Sequence, residues 1–413
     1  MIQQPWLGDS HWEKKDPKLR QLEENPLRLP HLDEVLKKIP LEEGIFSILG
    51  PRQVGKSTLI HLLAKKALLK FLPQNLILIE GDALESWREL LSIVTDFVER
   101  EKKSTVFVFI DEITSIPEWP RAVKLLADRG HLKSVCFVYT GSSMVSLKEA
   151  GELFPGRRGR HSQTSFEVLP ASYRLLKDHL TLDEYFIVGG FPWAINEYLR
   201  LKVVPDYVGE IYWSWIKGEF LKRGKSDLIL KHMVQAMGKR VQTGFSQHTL
   251  AQEMGITSNE TARQYMELLC NCFAVTEVPW IDPQKNLISP KKNRKYYPID
   301  PLLFHLFLGG GSLSGIDPAK HLNPELAGKI AESVVCQELK REDAHLGYWS
   351  GKKEVDFVPH FIEVKYQNKV SPQEFYWFTK AFPAKTKLKV LTKNDQFQTD
   401  QIQGIPLKEW LLR

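Results

Sequence analysis

Between Gly44 and about Ser172 the chain alternates short apolar runs with amphipathic stretches. The runs are Ile45–Leu49, Leu76–Ile79, Val106–Ile110, Val135–Thr140 and Ser165–Val168. Five strand-length runs with helical periodicity between them predict a parallel α/β sheet. From Leu182 to about Arg223 the pattern turns helical and aromatic, and residues 225–308 read as helices followed by a polar, proline-punctuated stretch at Pro279–Pro298. Gly309–Gly311 and Ser312–Gly315 have linker composition. Beyond them the pattern predicts a helix over Ala327–Arg341, short strands, a helix near Gln373–Ala381 and a final strand at Leu388–Leu391. The segment up to about Asn25 is polar and Trp-bearing, and is expected to lie as an arm over the body.

Composition narrows the setting. At 413 residues the chain is too long for one ordinary core, so two to four domains are expected. Hydrophobic content of 43% and charged content of 26% are those of a globular protein. A net charge of +6 permits a nucleic-acid partner without demanding one. No apolar run approaches a membrane span, and Met1 to Lys15 is too polar for a signal peptide, so no membrane partner is expected. Cys136, Cys270, Cys272 and Cys336 form neither a disulfide framework nor a paired zinc motif, which fits a reducing cytoplasm.

The sharpest chemistry lies at Gly50-Pro51-Arg52-Gln53-Val54-Gly55-Lys56-Ser57, with Thr58 following. Glycines at both ends, a preceding strand and a following helix with Leu59, Leu62, Leu63 and Ala67 on one face make this a phosphate-binding P-loop. Glycine lets the backbone curl so that N–H groups point inward, and the helix N-terminus adds positive potential. Lys56 is expected on the β- and γ-phosphates of ATP and Ser57 on Mg²⁺. Asp111 and Glu112 follow a buried-strand pattern, as a Walker B pair would, Asp111 holding Mg²⁺ through water and Glu112 polarising the attacking water. The run Val135–Thr140 leads into Gly141-Ser142-Ser143, where a hydroxyl can sense the γ-phosphate. Ser142 is the first choice and Thr140 the second, against a plain polar turn. Gly156-Arg157-Arg158-Gly159-Arg160 offers Arg157 or Arg158 to stabilise phosphoryl charge, to touch nucleic-acid phosphate, or simply to be solvated.

Taken together, the P-loop, Phe109–Ile113 with the following Trp119, Tyr139–Ser143, Gly156–Arg160 and Phe186-Ile187-Val188-Gly189-Gly190-Phe191-Pro192 resemble a known family. It is the archaeal and bacterial AAA+-like ATPases whose C-terminal half is a domain of unknown function resembling restriction endonucleases. The resemblance runs from about Leu27 to the C-terminus. It implies an α/β fold: a P-loop (AAA+-like) parallel-sheet ATPase core, then an α-helical and winged-helix region and a small α/β restriction-endonuclease-like domain. The expected segments are an arm at 1–26, the ATPase domain at 27–180, a helical segment with the Gly-Gly-Phe-Pro signature at 181–224, the winged helix at 225–308 and the nuclease-like domain at 309–413.

Two stretches bear on partners. Thr249–Thr257 and Ser258–Cys270 have helix-turn-helix grammar, with Gly255 at the turn. The outer face of the second helix offers Asn259, Arg263, Gln264 and Glu267. Lys291, Lys292, Arg294 and Lys295 form a denser cation cluster that suits a wing on DNA phosphate, or else a solvated loop on a helix that only packs domains together. Further on, Asp356 precedes Glu363 and Lys365, which share one strand face. With Glu332 in the helix before them, they resemble the PD-(D/E)xK nuclease motif, in which carboxylates hold metal ions and lysine adds charge beside the nucleophile. Ion-paired strands are the plain alternative. Two functions follow: a Mg²⁺-dependent ATPase acting on DNA in processing, repair or defence, with an endonuclease module, or a nucleotide-switched scaffold that recruits a protein partner or a second copy.

Overall fold

Side chains alternate across a strand, so each apolar run divides between two faces, and both faces must be covered. In the computed structural model, which describes residues 2–9, 11–101, 105–142, 161–313, 322–343 and 345–413, this is what happens. Phe46, Ile48, Leu78, Phe107, Phe109 and Val138 pack with the helices Pro17–Glu24, Pro30–Lys38 and Lys56–Leu68. Their neighbours Ile45, Ile77, Ile79, Val108, Ile110 and Phe137 pack with Trp87–Arg100 and Trp119–Asp128. The chain divides into two units: Met1–Leu169 with Asn271–Phe273, and Pro170–Cys270 with Ala274–Arg413.

The first unit holds strands β1 (Ile2–Gln3), β2 (Gly44–Leu49), β3 (Leu76–Glu80), β4 (Val106–Asp111), β5 (Val135–Gly141) and β6 (Ser165–Glu167), in the order β1-β3-β4-β5-β2-β6. The five expected strands are present and parallel. β1 is an addition, antiparallel on the β3 edge, and two residues are too few to show a period. The N-terminal segment packs through its apolar minority. Trp6 and Trp12 are buried edge to face, 5.3 Å apart, and the Trp6 indole N–H donates to the Pro73 carbonyl at 2.9 Å. Asp16 caps the helix Pro17–Glu24 by accepting from the Lys18 and Leu19 N–H groups, and its other oxygen lies 2.7 Å from His61 Nδ1 on the P-loop helix.

The second unit opens with helices that include Leu182–Val188, Pro192–Leu201, Asp206–Leu221, Asp227–Lys239, Gln247–Glu253 and Asn259–Asn271. A long hairpin follows: β7 (Val275–Pro279) pairs with β10 (Arg294–Pro298), and β8 (Ile281–Asp282) with β9 (Leu287–Ile288). After the helices Pro301–Leu308 and Pro324–Glu342 comes a sheet of β11 (Gly347–Ser350), β12 (Glu354–Val358), β13 (Ile362–Lys365), β14 (Leu388–Thr392), β15 (Phe397–Gln398) and β16 (Ile402–Pro406). Its order is β11-β12-β13-β14-β16-β15, with β13, β14 and β16 parallel. β14 is therefore not the last strand. Gly404 and Pro406 break the apolar alternation that would have announced β16. Among the described residues no helix is long and apolar enough to cross a membrane.

The Gly-Gly-Phe-Pro signature has a physical reason. Gly189 adopts φ 69°, ψ −161°, a region open essentially to glycine alone, and a Cβ there would sit 2.0 Å from Asp300 Oδ1. Asp300 accepts from the Gly190 N–H at 2.7 Å and caps the helix Pro301–Leu308 by accepting from the Leu302 N–H at 2.9 Å. Burial pushes its carboxyl up to about 7 despite those two donors. Pro192 then starts the next helix, where its missing N–H is harmless. Gly189→Ala should lose about 2 kcal/mol or more, from backbone strain plus the clash with Asp300. Thermal unfolding followed by circular dichroism tests this, and an unchanged midpoint would refute it.

Candidate nucleotide site and a second charged cluster

Sheet order builds the first site. β5 lies between β2 and β4, so its C-terminal residues stand between the P-loop and the acids after β4. The loop is closely packed. A Cβ on Gly50 would lie 2.0 Å from the Val168 carbonyl oxygen, and Gly55, at φ 99°, has the Leu32 side chain against it. His31 Nε2 is 2.9 Å from the Val54 carbonyl, so the helix Pro30–Lys38 braces the loop from outside. Neither Leu32 nor His31 carries a motif, and the sequence reading missed both. The Lys56 ammonium is buried and donates to the Gly50 and Pro51 carbonyls at 2.9 and 2.7 Å. Burial lowers its pKa to about 8, against the opposing pull of Glu112 and Asp111.

Thr140 ties the two acids together. Its hydroxyl donates to Asp111 Oδ1 at 2.7 Å and accepts from the Glu112 N–H at 2.7 Å. Glu112 sits in the left-handed region at φ 50°, which turns its carboxylate toward Ser142. The Ser142 hydroxyl donates to Glu112 Oε1 at 2.8 Å, its N–H lies 3.3 Å from the same oxygen, and Thr114 donates to it as well. Burial raises the Glu112 pKa, but Lys56 and the two hydroxyls outweigh it and hold the carboxyl below its ordinary value. Asp111, Glu112, Thr140 and Ser142 thus form one hydrogen-bonded group, and both acids act on the Lys56 charge through space. Ser57 and Thr58 open the helix, half-buried, and Arg52 and Gln53 lie in the loop. A hydroxyl and a carboxylate are hard oxygen donors, so Ser57 and Asp111 fit Mg²⁺. Arg157 and Arg158 lie outside the described residues.

A second cluster lies in the other unit, and it corrects one expectation. Lys295 was expected on an exposed wing, yet its side chain is fully buried. Alternation along β10 is the cause: Lys295 and Tyr297 face inward, while Arg294 pairs with Glu277. Lys295 Nζ lies 3.2 Å from Glu332 Oε1, 3.1 Å from Asp356 Oδ1 and 2.5 Å from Glu354 Oε1, and the Tyr297 hydroxyl donates to Glu332 at 2.6 Å. Asp356 Oδ2 accepts from the Val364 N–H at 2.9 Å, and Lys365 pairs with Glu363 at 2.9 Å. Glu332, Asp356, Glu363 and Lys365 are therefore close neighbours. Burial, with Asp356 nearby, pushes Glu332 up to about 7 and Glu363 up to about 8. Mg²⁺ does not fit this arrangement, because an ammonium already contacts three of the carboxylates. Among the described residues no group of three or more His, Cys, Asp or Glu side chains is set to hold a metal. Of the remaining expected DNA contacts, Arg263 is paired with Glu260 and Glu267, and Lys291 and Lys292 are exposed.

The class follows from this geometry. Residues 42–176 match the family model described as an AAA domain, and the first unit is an AAA-type P-loop fold. Residues 179–314 and 327–410 match two domains of unknown function, DUF8612 and DUF4143. An uncharacterized protein of Methanocaldococcus jannaschii is 24% identical over 410 residues, spanning 88% of this chain and 85% of its own. Among solved structures, a Walker-type ATPase of Pyrococcus abyssi is 17% identical, with a TM-score of 0.43 over 67% of this chain and 93% of that one. The Aeropyrum pernix ORC1 protein in complex with DNA is 12% identical, with a TM-score of 0.33 over 75% of this chain and 96% of that one.

Lys56 sets a pH dependence. Phosphate favours the charged amine, so binding raises its pKa and takes up a proton once pH exceeds the free value of about 8. ATP affinity should be nearly flat up to about pH 7 and weaken about tenfold between about pH 7 and about pH 9. Calorimetry in buffers of different ionisation enthalpy checks both the slope and the proton uptake. A dissociation constant that stays level across that range would remove Lys56 as the titrating group.

Proposed function

We propose that this chain is a Mg²⁺-dependent ATPase whose turnover is coupled to DNA. The observation that carries the ATPase reading is the Thr140 bridge, which fixes Asp111 and Glu112 together beside a buried Lys56. In this reading the backbone N–H groups along Gly50–Thr58, Pro51 having none, and the Lys56 ammonium bind the phosphates. Ser57 and Asp111 hold Mg²⁺, which neutralises phosphate charge when bound. Glu112, kept ionised, orients the attacking water, and Ser142 holds Glu112 until the γ-phosphate competes for it. Arg157 or Arg158 is offered to the same phosphoryl group.

DNA enters through the second unit. Helices Asp227–Lys239, Gln247–Glu253 and Asn259–Asn271, followed by the β7–β10 hairpin, have the element order of a winged helix. The contact set we propose is narrower than the charge run suggests. Lys291 and Lys292 are exposed between β9 and β10, whereas Arg263 and Arg294 are engaged by glutamates. A second reading, a nucleotide-switched scaffold whose terminal domain does not cut DNA, is favoured by the lysine inside the carboxylate cluster. The two readings share the ATPase.

Turnover measured for three proteins tests the first claim. Lys56→Ala should lose nucleotide binding, while Glu112→Gln should bind ATP and turn it over about a hundredfold or more slowly. Full turnover by Lys56→Ala would overturn the assignment. For DNA, turnover and binding across a salt series should show stimulation, and the Lys291→Ala and Lys292→Ala changes should each lower the salt slope by about 1. Absence of DNA binding at low salt would leave the scaffold reading in its place.

A further inference from the structure

The feature the ATPase reading does not use is Lys295. A buried ammonium is costly unless its charge is met, and here the compensation comes from outside its own hairpin. Glu332 is on the helix Pro324–Glu342, and Glu354 and Asp356 are on β12. Each places one oxygen within 3.2 Å of the Lys295 nitrogen, and the Tyr348 ring lies 5.4 Å from it. These carboxylates are the groups that would serve a divalent cation, since such ions take the same hard oxygens. One oxygen cannot direct the same lone pairs at an ammonium and a metal. Two positive charges this close in a buried site would also repel strongly.

We propose that Lys295 is the resident cation of the C-terminal carboxylate cluster, and that its docking excludes divalent metal from it. The β7–β10 hairpin is then a latch on the terminal sheet. Metal can enter only when the Lys295 ammonium leaves the carboxylates. The latch does not rest on Lys295 alone. The Tyr348 hydroxyl donates to the Asn293 carbonyl at 2.8 Å, the Trp280 indole N–H to the Ser350 carbonyl at 3.1 Å and the Ser333 hydroxyl to the Pro298 carbonyl at 2.8 Å. These contacts keep the hairpin in place when the lysine charge is removed, so a neutral variant retains the cluster's frame. The proposal goes beyond the ATPase reading and does not depend on nucleotide.

Mn²⁺ binding to the full chain without nucleotide, read by electron paramagnetic resonance, tests it. Lys295→Met should gain one Mn²⁺ site at least about tenfold tighter than anything in the wild type, and adding Asp356→Asn should abolish it. Lys295→Gln, which keeps a polar side chain, serves as the second variant, and circular dichroism confirms that each is folded. A folded neutral variant that gains no Mn²⁺ site overturns the proposal. So does a wild-type Mn²⁺ site that disappears in Asp356→Asn, an arm that needs no Lys295 variant. ATP turnover of Lys56→Ala, measured separately, keeps failure here distinct from failure of the nucleotide assignment.

Discussion

The nucleotide site depends on the backbone ladder that holds β5 between β2 and β4. Were those two strands adjacent, the P-loop and the acids after β4 would meet directly, with nothing between them to set their spacing. With β5 inserted, Thr140 becomes the spacer, and one hydroxyl both accepts from the Glu112 N–H and donates to Asp111. That geometry also explains why Glu112 can hold a left-handed backbone conformation. The acceptor that Thr140 offers its N–H, and the hydroxyl donors that Ser142 and Thr114 offer its carboxylate, offset the local strain. The same strand order places β6 against β2, and the Val168 carbonyl then leaves Gly50 no room for a side chain.

Two buried lysines show how the surroundings decide what a charge is for. Lys56 rests on carbonyl oxygens, with its carboxylates acting only through space, and burial wins: the amine is easily deprotonated and poised for an anion. Lys295 is surrounded by carboxylates in contact, which outweigh burial and hold the charge firmly. The first is a lysine short of negative charge, and the second has more than it needs. Burial, with Asp356 adding to it, still holds the Glu332 and Glu354 carboxyls above their ordinary values against the pull of Lys295.

Much of this was legible in the sequence, for identifiable reasons. The five parallel strands announced themselves because burial on both faces demands unbroken apolar runs. The P-loop did so because its glycines are backbone requirements. Glu363 and Lys365 could be read onto one face because strand side chains alternate, whereas Glu332 entered only through the resemblance. Lys295 was misplaced because a run of charge reads as an exposed face, whereas the register of β10 turns every second residue inward. His31 and Leu32 went unseen because bracing a loop takes only shape and one hydrogen bond. Asp300 gave no signal beside Gly189 either, since the two are more than a hundred residues apart and only the fold brings them together.

That last contact sets a condition on how the second unit assembles. The Gly190 N–H and Asp300 are separated by 110 positions, and the whole helical segment and hairpin form the loop between them. Closing so long a loop costs chain entropy before any contact offsets it. Backbone hydrogen bonds within a helix are local and can form before the loop closes, while the carboxylate that seals the loop must arrive from far along the chain. The glycine pair is therefore a closure point in folding time as well as in space.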